Sequence, residues 1–133
     1  MTSPEFKGKL LVILAGYKAD MDAMMATNPG LQSRFAERLH FENLSVDATA
    51  SALTSKMEAL LPLASCARQA ARGVAEALTK LPGFGNYRDV ETLCQKTKQK
   101  VASRVKARSR GAAVTKADLQ LALEDMQTTR APL

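Results

Sequence analysis

Tryptophan is absent from this 133-residue chain, aromatic residues make up 5% of it, and histidine occurs once. So few rings provide no row of stacking platforms for single-stranded nucleic acid. They also disfavour a sheet-rich fold, which draws on aromatic and β-branched residues. Cysteine is scarce as well. Cys66 and Cys94 lie in helical patterns without metal-ligand spacing, which reads as two buried thiols in a reducing compartment, and no metal site is expected. His40, next to Phe41 in a predicted strand, reads as structural and not catalytic. No apolar run approaches the roughly 18 residues of a membrane span, and no signal peptide is visible. The expectation is an intracellular protein, cytoplasmic or nuclear, with no membrane partner. Acidic residues are missing altogether between Lys96 and Lys116, where Lys96, Lys98, Lys100, Arg104, Lys106, Arg108, Arg110 and Lys116 fall. Such a stripe could meet nucleic acid or an acidic protein. The favoured reading is a solvated helix face running into a basic loop.

What the chain does have is alanine, leucine, lysine and arginine in abundance, with 46% hydrophobic residues. That is enough for one packed domain, or for a piece of a larger one, and it favours helices. Residues 1–6 read as a cloning remnant and are set aside. Leu10 to Ala15 is apolar at every position, with β-branched Val12 and Ile13, which predicts a strand buried on both faces. Asp20 to Ala26 has helical character and stops at Asn28-Pro29-Gly30. A helical turn follows around Leu31–Phe35, and Arg38 to Phe41 predicts a second, short strand. Ser45 or Asp47 caps a helix to about Leu61; Pro62 opens the next, to Leu81. Asn86 caps a third helix, to about Arg108. Thr115-Lys-Ala-Asp118 has the spacing of a capping box, with Asp in place of Glu, opening a last helix through Met126. The fold class is therefore mainly α: two residual strands followed by four helices, with a domain boundary near Asn43–Ser45. Two strands alone cannot form a stable sheet. Their exposed edges predict self-association or domain swapping of the isolated chain.

Three motifs stand in order along the chain: Val12-Ile-Leu-Ala-Gly-Tyr17, Asn28-Pro-Gly-Leu-Gln-Ser-Arg-Phe35 and Gly83-Phe-Gly-Asn-Tyr-Arg-Asp-Val90. Together they resemble the AAA+ ATPases, in the branch of CbbX and stage V sporulation protein K, over Leu10 to about Met126. The resemblance implies that residues 7–44 are the end of an α/β core, residues 45–128 an α-helical lid, and residues 129–133 a tail. It makes Arg34 an arginine finger acting in trans on a neighbouring subunit's nucleotide. Arg38 would second it, spaced one residue longer than the common pattern. Arg88 matches sensor 2, with Gly85 and Asn86 shaping its approach to nucleotide. Tyr17 stands where many relatives place the Asn or Thr of sensor 1, so a phenolic hydroxyl would take over that role. Arginine suits such work because it is always charged and forks onto phosphate oxygens.

The 133 residues contain no Gly-x-x-x-x-Gly-Lys-[Ser/Thr] and no apolar strand ending in Asp-Glu. The resemblance thus implies ATP and magnesium in an intact parent. It implies neither held tightly by this chain, and no hydrolysis by the chain alone. The parent's partners would be neighbouring AAA+ subunits in a ring and a client protein that these residues do not identify. Two other readings stay open: a non-catalytic helical interaction or assembly module, and a nucleic-acid binder using the basic helix.

Overall fold

The computed structural model describes residues 5, 8–105 and 112–131 and divides the chain into two compact units, Met1–Glu42 and Asn43–Leu133. In the first unit are α1 (Lys18–Thr27) and α2 (Pro29–Arg34), packed on each other. Asn28 separates them and caps α2, its side chain accepting from Gly30 N–H at 3.1 Å, with Pro29 following where it costs no hydrogen bond.

Neither predicted strand forms. Residues 10–15 and 38–41 carry no strand pairing, and Leu10, Leu11, Ile13, Leu39 and Phe41 are exposed, Phe41 at 88%. An apolar run at strand length needs a neighbouring strand for its backbone groups, and the described residues of this unit provide none.

The second unit holds α3 (Val46–Leu60), α4 (Ser65–Thr79), α5 (Tyr87–Arg104) and α6 (Lys116–Arg130). The chain is thus mainly α, and the unit's helices run up and down in turn. Each packs on two others: α3 on α4 and α5, and α6 on α4 and α5. Their apolar stripes meet in one core, where Leu53, Leu78, Leu93 and Leu119 have at most 1% exposure. Ser45 caps α3 by accepting from Ala48 N–H, and the capping box of Thr115 and Asp118 forms at the start of α6. Among the described residues no helix is long and apolar enough to cross a membrane.

Pro62 does not open α4, which starts at Ser65. Instead the Pro62 carbonyl accepts from Val114 N–H at 2.8 Å, and Ala64 N–H donates to the Val114 carbonyl at 3.0 Å. This short parallel pairing, centred on Leu63 and Val114, ties the α3–α4 connection to the α5–α6 connection at one end of the bundle.

The two thiols differ. Cys94 is fully buried on α5, while Cys66 on α4 is exposed, against the expectation of two buried thiols. Burial pushes the Cys94 thiol up to about 11. One cysteine per chain is therefore expected to react with a thiol reagent under native conditions, the second only on unfolding. A count of two native thiols reacting at similar rates would contradict this placement.

Candidate functional site

In the first unit, Arg34 closes α2 and is exposed. Its Nη1 donates to the Gly30 carbonyl at 2.9 Å, across one turn of its own helix. Arg38 is also exposed and lies 3.5 Å from Asp22, whose carboxyl is held below its ordinary value first by the Lys18 hydrogen bond at 2.7 Å. An exposed pair at such a distance contributes little, so both guanidinium groups are weakly held. Tyr17 precedes α1 with 84% of its surface exposed, its carbonyl accepting from Met21 N–H. Among the described residues its hydroxyl has no hydrogen-bond partner.

The second unit assembles a tighter constellation where the start of α3, the α4–α5 connection and the end of α6 converge. Leu81-Pro82-Gly83 leads out of α4, with Gly83 in the left-handed region at φ +63°. Asn86 stands there too, at φ +56°, a conformation few residues other than glycine adopt. Its side chain does not cap α5. Its Oδ1 accepts from Leu44 N–H at 2.7 Å and its Nδ2 donates to Asn43 Oδ1 at 2.9 Å. The left-handed backbone turns the amide away from the helix and toward the segment that enters α3.

Asp89, in the first turn of α5, has 2% exposure. It receives Arg130 in a two-pronged pair, Nη1 to Oδ2 at 2.7 Å and Nη2 to Oδ1 at 2.6 Å, and accepts from Gly85 N–H at 2.7 Å. Burial raises the carboxyl, but the Arg130 and Gly85 hydrogen bonds outweigh it, so Asp89 stays below its ordinary value. A Cβ on Gly85 would lie 3.0 Å from Asp89 Oδ1, so the missing side chain is what lets the carboxylate approach this backbone.

Arg88 sits between these anchors. It is exposed, and among the described residues no carboxylate pairs with it. Its two nearest candidates are engaged elsewhere, Asp89 with Arg130 and Glu91 with Lys56 at 3.0 Å. Lys56 also lies over the ring of Tyr87, 5.0 Å from its centroid. The first-turn backbone donors are largely spent, since Arg88 N–H goes to the Gly85 carbonyl and Asp89 N–H to that of Asn86. What this corner offers an anion is the Arg88 side chain itself.

Sequence reasoning brought Gly85, Asn86 and Arg88 together but missed Asp89 and Arg130 as a pair. The signal for Asp89 was its place on the apolar stripe of Val90 and Leu93. Arg130 gave none, lying beyond the expected end of the last helix. The basic stripe is partly neutralised by α6, Lys100 pairing with Asp125 at 2.6 Å and Arg104 with Asp118 at 2.9 Å. Lys106, Arg108 and Arg110 lie outside the described residues. Among the described residues no cluster of His, Cys, Asp and Glu could hold a metal ion.

The chain is similar to the ESX-1 secretion system protein EccA1 of Mycobacterium leprae, 33% identical over 102 residues, which are 70% of this chain and 18% of that protein. It is also similar to a CfxQ homologue of Trieres chinensis, 34% identical over 113 residues, 83% of this chain and 38% of the relative. CbbX of Cereibacter sphaeroides is 28% identical over 125 residues, 91% of this chain and 40% of CbbX. The chain therefore spans less than half the length of each of these relatives. No family model matches it, and no solved structure matches it significantly.

Proposed function

Because the chain belongs to the AAA+ ATPase family, in the branch of CbbX, CfxQ and EccA, we propose that it forms the C-terminal part of an ATPase module. Residues 7–44 end the α/β core and residues 45–128 form the lid, whose last helix runs on to Arg130. The module works inside the cell, in a ring with neighbouring subunits, and couples ATP binding and hydrolysis to remodelling of a client protein. ATP with magnesium, held by parts that these 133 residues do not contain, supplies the transferable phosphoryl group.

The observation that supports this reading is Arg88: an exposed guanidinium without a carboxylate partner among the described residues, in the first turn of α5, directly after a loop anchored on both sides. Such a group fits a nucleotide phosphate, since it is always charged and its hydrogen-bond donors are unspent. Arg88 contacts nucleotide in its own subunit and makes lid position depend on it. Arg34 places charge against the neighbour's nucleotide, seconded by Arg38, and Tyr17 helps orient the attacking water. The chain alone lacks the phosphate loop and does not hydrolyse ATP.

Arg88→Ala in the complete ATPase is expected to weaken nucleotide binding about tenfold, the loss of one charge-assisted hydrogen-bonding group. Unchanged affinity, measured by titration with a fluorescent ATP analogue, would remove the sensor role. For the isolated chain, the exposed apolar stretch Leu10–Leu14 is expected to drive self-association. Light scattering that finds a monodisperse monomer would contradict it.

A further inference from the structure

The α5–α6 pair carries the same device at both ends. Asp118, third residue of α6, receives Arg104 from the last turn of α5, through Nε at 3.0 Å and Nη2 at 2.9 Å. Asp89, third residue of α5, receives Arg130 from the last turn of α6. Both aspartates are 2% exposed. In each case an acid at a helix start meets an arginine at the end of its antiparallel neighbour, which suits both helix dipoles.

The two ends differ in what surrounds them. Asp118 also closes the capping box with Thr115, and Arg104 Nη2 donates to the Ala113 carbonyl at 2.9 Å, so this end braces the α5–α6 connection, away from Arg88. Asp89 instead reaches back to Gly85 N–H, so its carboxylate bridges the end of α6 to the loop that delivers Arg88. Arg130 Nη1 lies a further 3.5 Å from the Pro82 carbonyl at the other side of that loop.

We propose that Asp89 and Arg130 are positioning residues for Arg88, coupling the C-terminal end of α6 to the nucleotide-sensing corner. This rests on the sensor role proposed above for Arg88. The pair holds the first turn of α5 and the Gly83–Asn86 loop in one arrangement, so the exposed guanidinium next to it starts from a fixed base and loses less freedom on meeting a phosphate. Whatever displaces the end of α6 therefore lowers nucleotide affinity through Arg88.

The test compares Arg130→Met with Arg104→Met, which breaks the matching pair at the opposite end. Both variants are read at a temperature where melting curves show them folded. In this chain, Arg130→Met is expected to speed amide exchange at residues 85–90, while Arg104→Met leaves those amides protected. In the complete ATPase, Arg130→Met is expected to weaken binding of a fluorescent ATP analogue roughly tenfold, the scale on which groups of one network couple. Arg104→Met should leave that affinity unchanged, and Arg130→Lys should restore part of it.

The deciding measurement is the double variant. If Arg130 acts through Arg88, adding Arg130→Met to Arg88→Ala weakens binding no further. Additive losses, or equal losses from Arg130→Met and Arg104→Met, would overturn the coupling and reduce the pair to a fold-stabilising contact. A null effect of Arg88→Ala by itself would instead overturn the sensor reading, so the two failures are distinct. Should Arg130→Met not fold, Asp89→Asn, which keeps the side chain's size while weakening the pair, enters the same cycle.

Discussion

Replacing Arg34 by alanine in the assembled ATPase is expected to lower turnover by about 10³–10⁵-fold, the range over which an arginine finger acts in phosphoryl transfer. Nucleotide binding should change little, because on the proposed reading the guanidinium meets charge that builds up as the phosphoryl group moves, and on a neighbour's nucleotide. The Arg34 side chain is exposed and lightly held. Its one contact among the described residues is the hydrogen bond from Nη1 to the Gly30 carbonyl, at an exposed site. Giving that up costs on the order of 1 kcal/mol at most, since water replaces the partner. The turnover loss corresponds to roughly 4–7 kcal/mol at tenfold per 1.36 kcal/mol, so the resting contact is no obstacle. Action in trans has its own signature. Mixing Arg34→Ala subunits with subunits that cannot bind nucleotide should recover activity, because each supplies what the other lacks. If mixing recovers nothing while both variants still assemble, Arg34 does not work across the interface. If Arg34→Ala alone leaves turnover within a few-fold of the parent, the finger assignment falls. On the same proposed reading, in which Arg38 seconds the finger, Arg38→Ala should cost less than Arg34→Ala.

The helices were legible because their determinants are local. Ser45 and the Thr115–Asp118 box act over three residues, within the span that a sequence pattern displays. The features that sequence reading missed are the ones closed over a distance. Pro62 looked like a helix start, yet its carbonyl is taken by Val114 from the far end of the chain. Asn86 looked like a cap, yet its positive φ sends the amide to Asn43 and Leu44, before α3. The last helix looked complete at Met126, where its apolar stripe ends. It runs on to Arg130, where Asp89 receives the final turn. The apolar run at Leu10–Ala15 predicted a buried strand, but a strand exists only with its partner, and among the described residues the run stays unpaired and exposed. The same holds for the site. Arg88 is put forward by its motif, whereas the Asp89–Arg130 pair at the same helix start joins residues whose positions give no hint of each other.

Asp89→Ala is expected to cost the fold heavily. The carboxylate is 2% exposed and carries three hydrogen bonds. Its removal leaves the Gly85 N–H without an acceptor and Arg130 without its counter-charge. Removing one partner of a fully buried pair costs about 3–5 kcal/mol. The Arg130 side chain is 28% exposed and can turn partly to solvent, so roughly 3 kcal/mol is expected. For a unit of this size that lowers Tm by roughly 15 °C. The pH dependence gives an independent check. Asp89 and Asp118 are both desolvated, yet both are held below their ordinary value by arginine and backbone hydrogen bonds. A carboxyl whose value is lower folded than unfolded binds fewer protons when folded, so stability rises with pH between the two values. The contribution is complete above the unfolded value near 4 and is lost as pH falls through the lower folded values. Asp22, Glu76 and Asp125 shift the same way, but each is roughly half-exposed and lysine-paired, which leaves them a small share. Thermal melts followed by circular dichroism from pH 7 to pH 2 should therefore show a steep acid loss in the parent chain. It should be shallower in Asp89→Ala and shallower again when Asp118→Ala is added. An acid slope unchanged in the double variant would mean that the two clamps, and with them the bracing of Arg88, contribute nothing to the folded state.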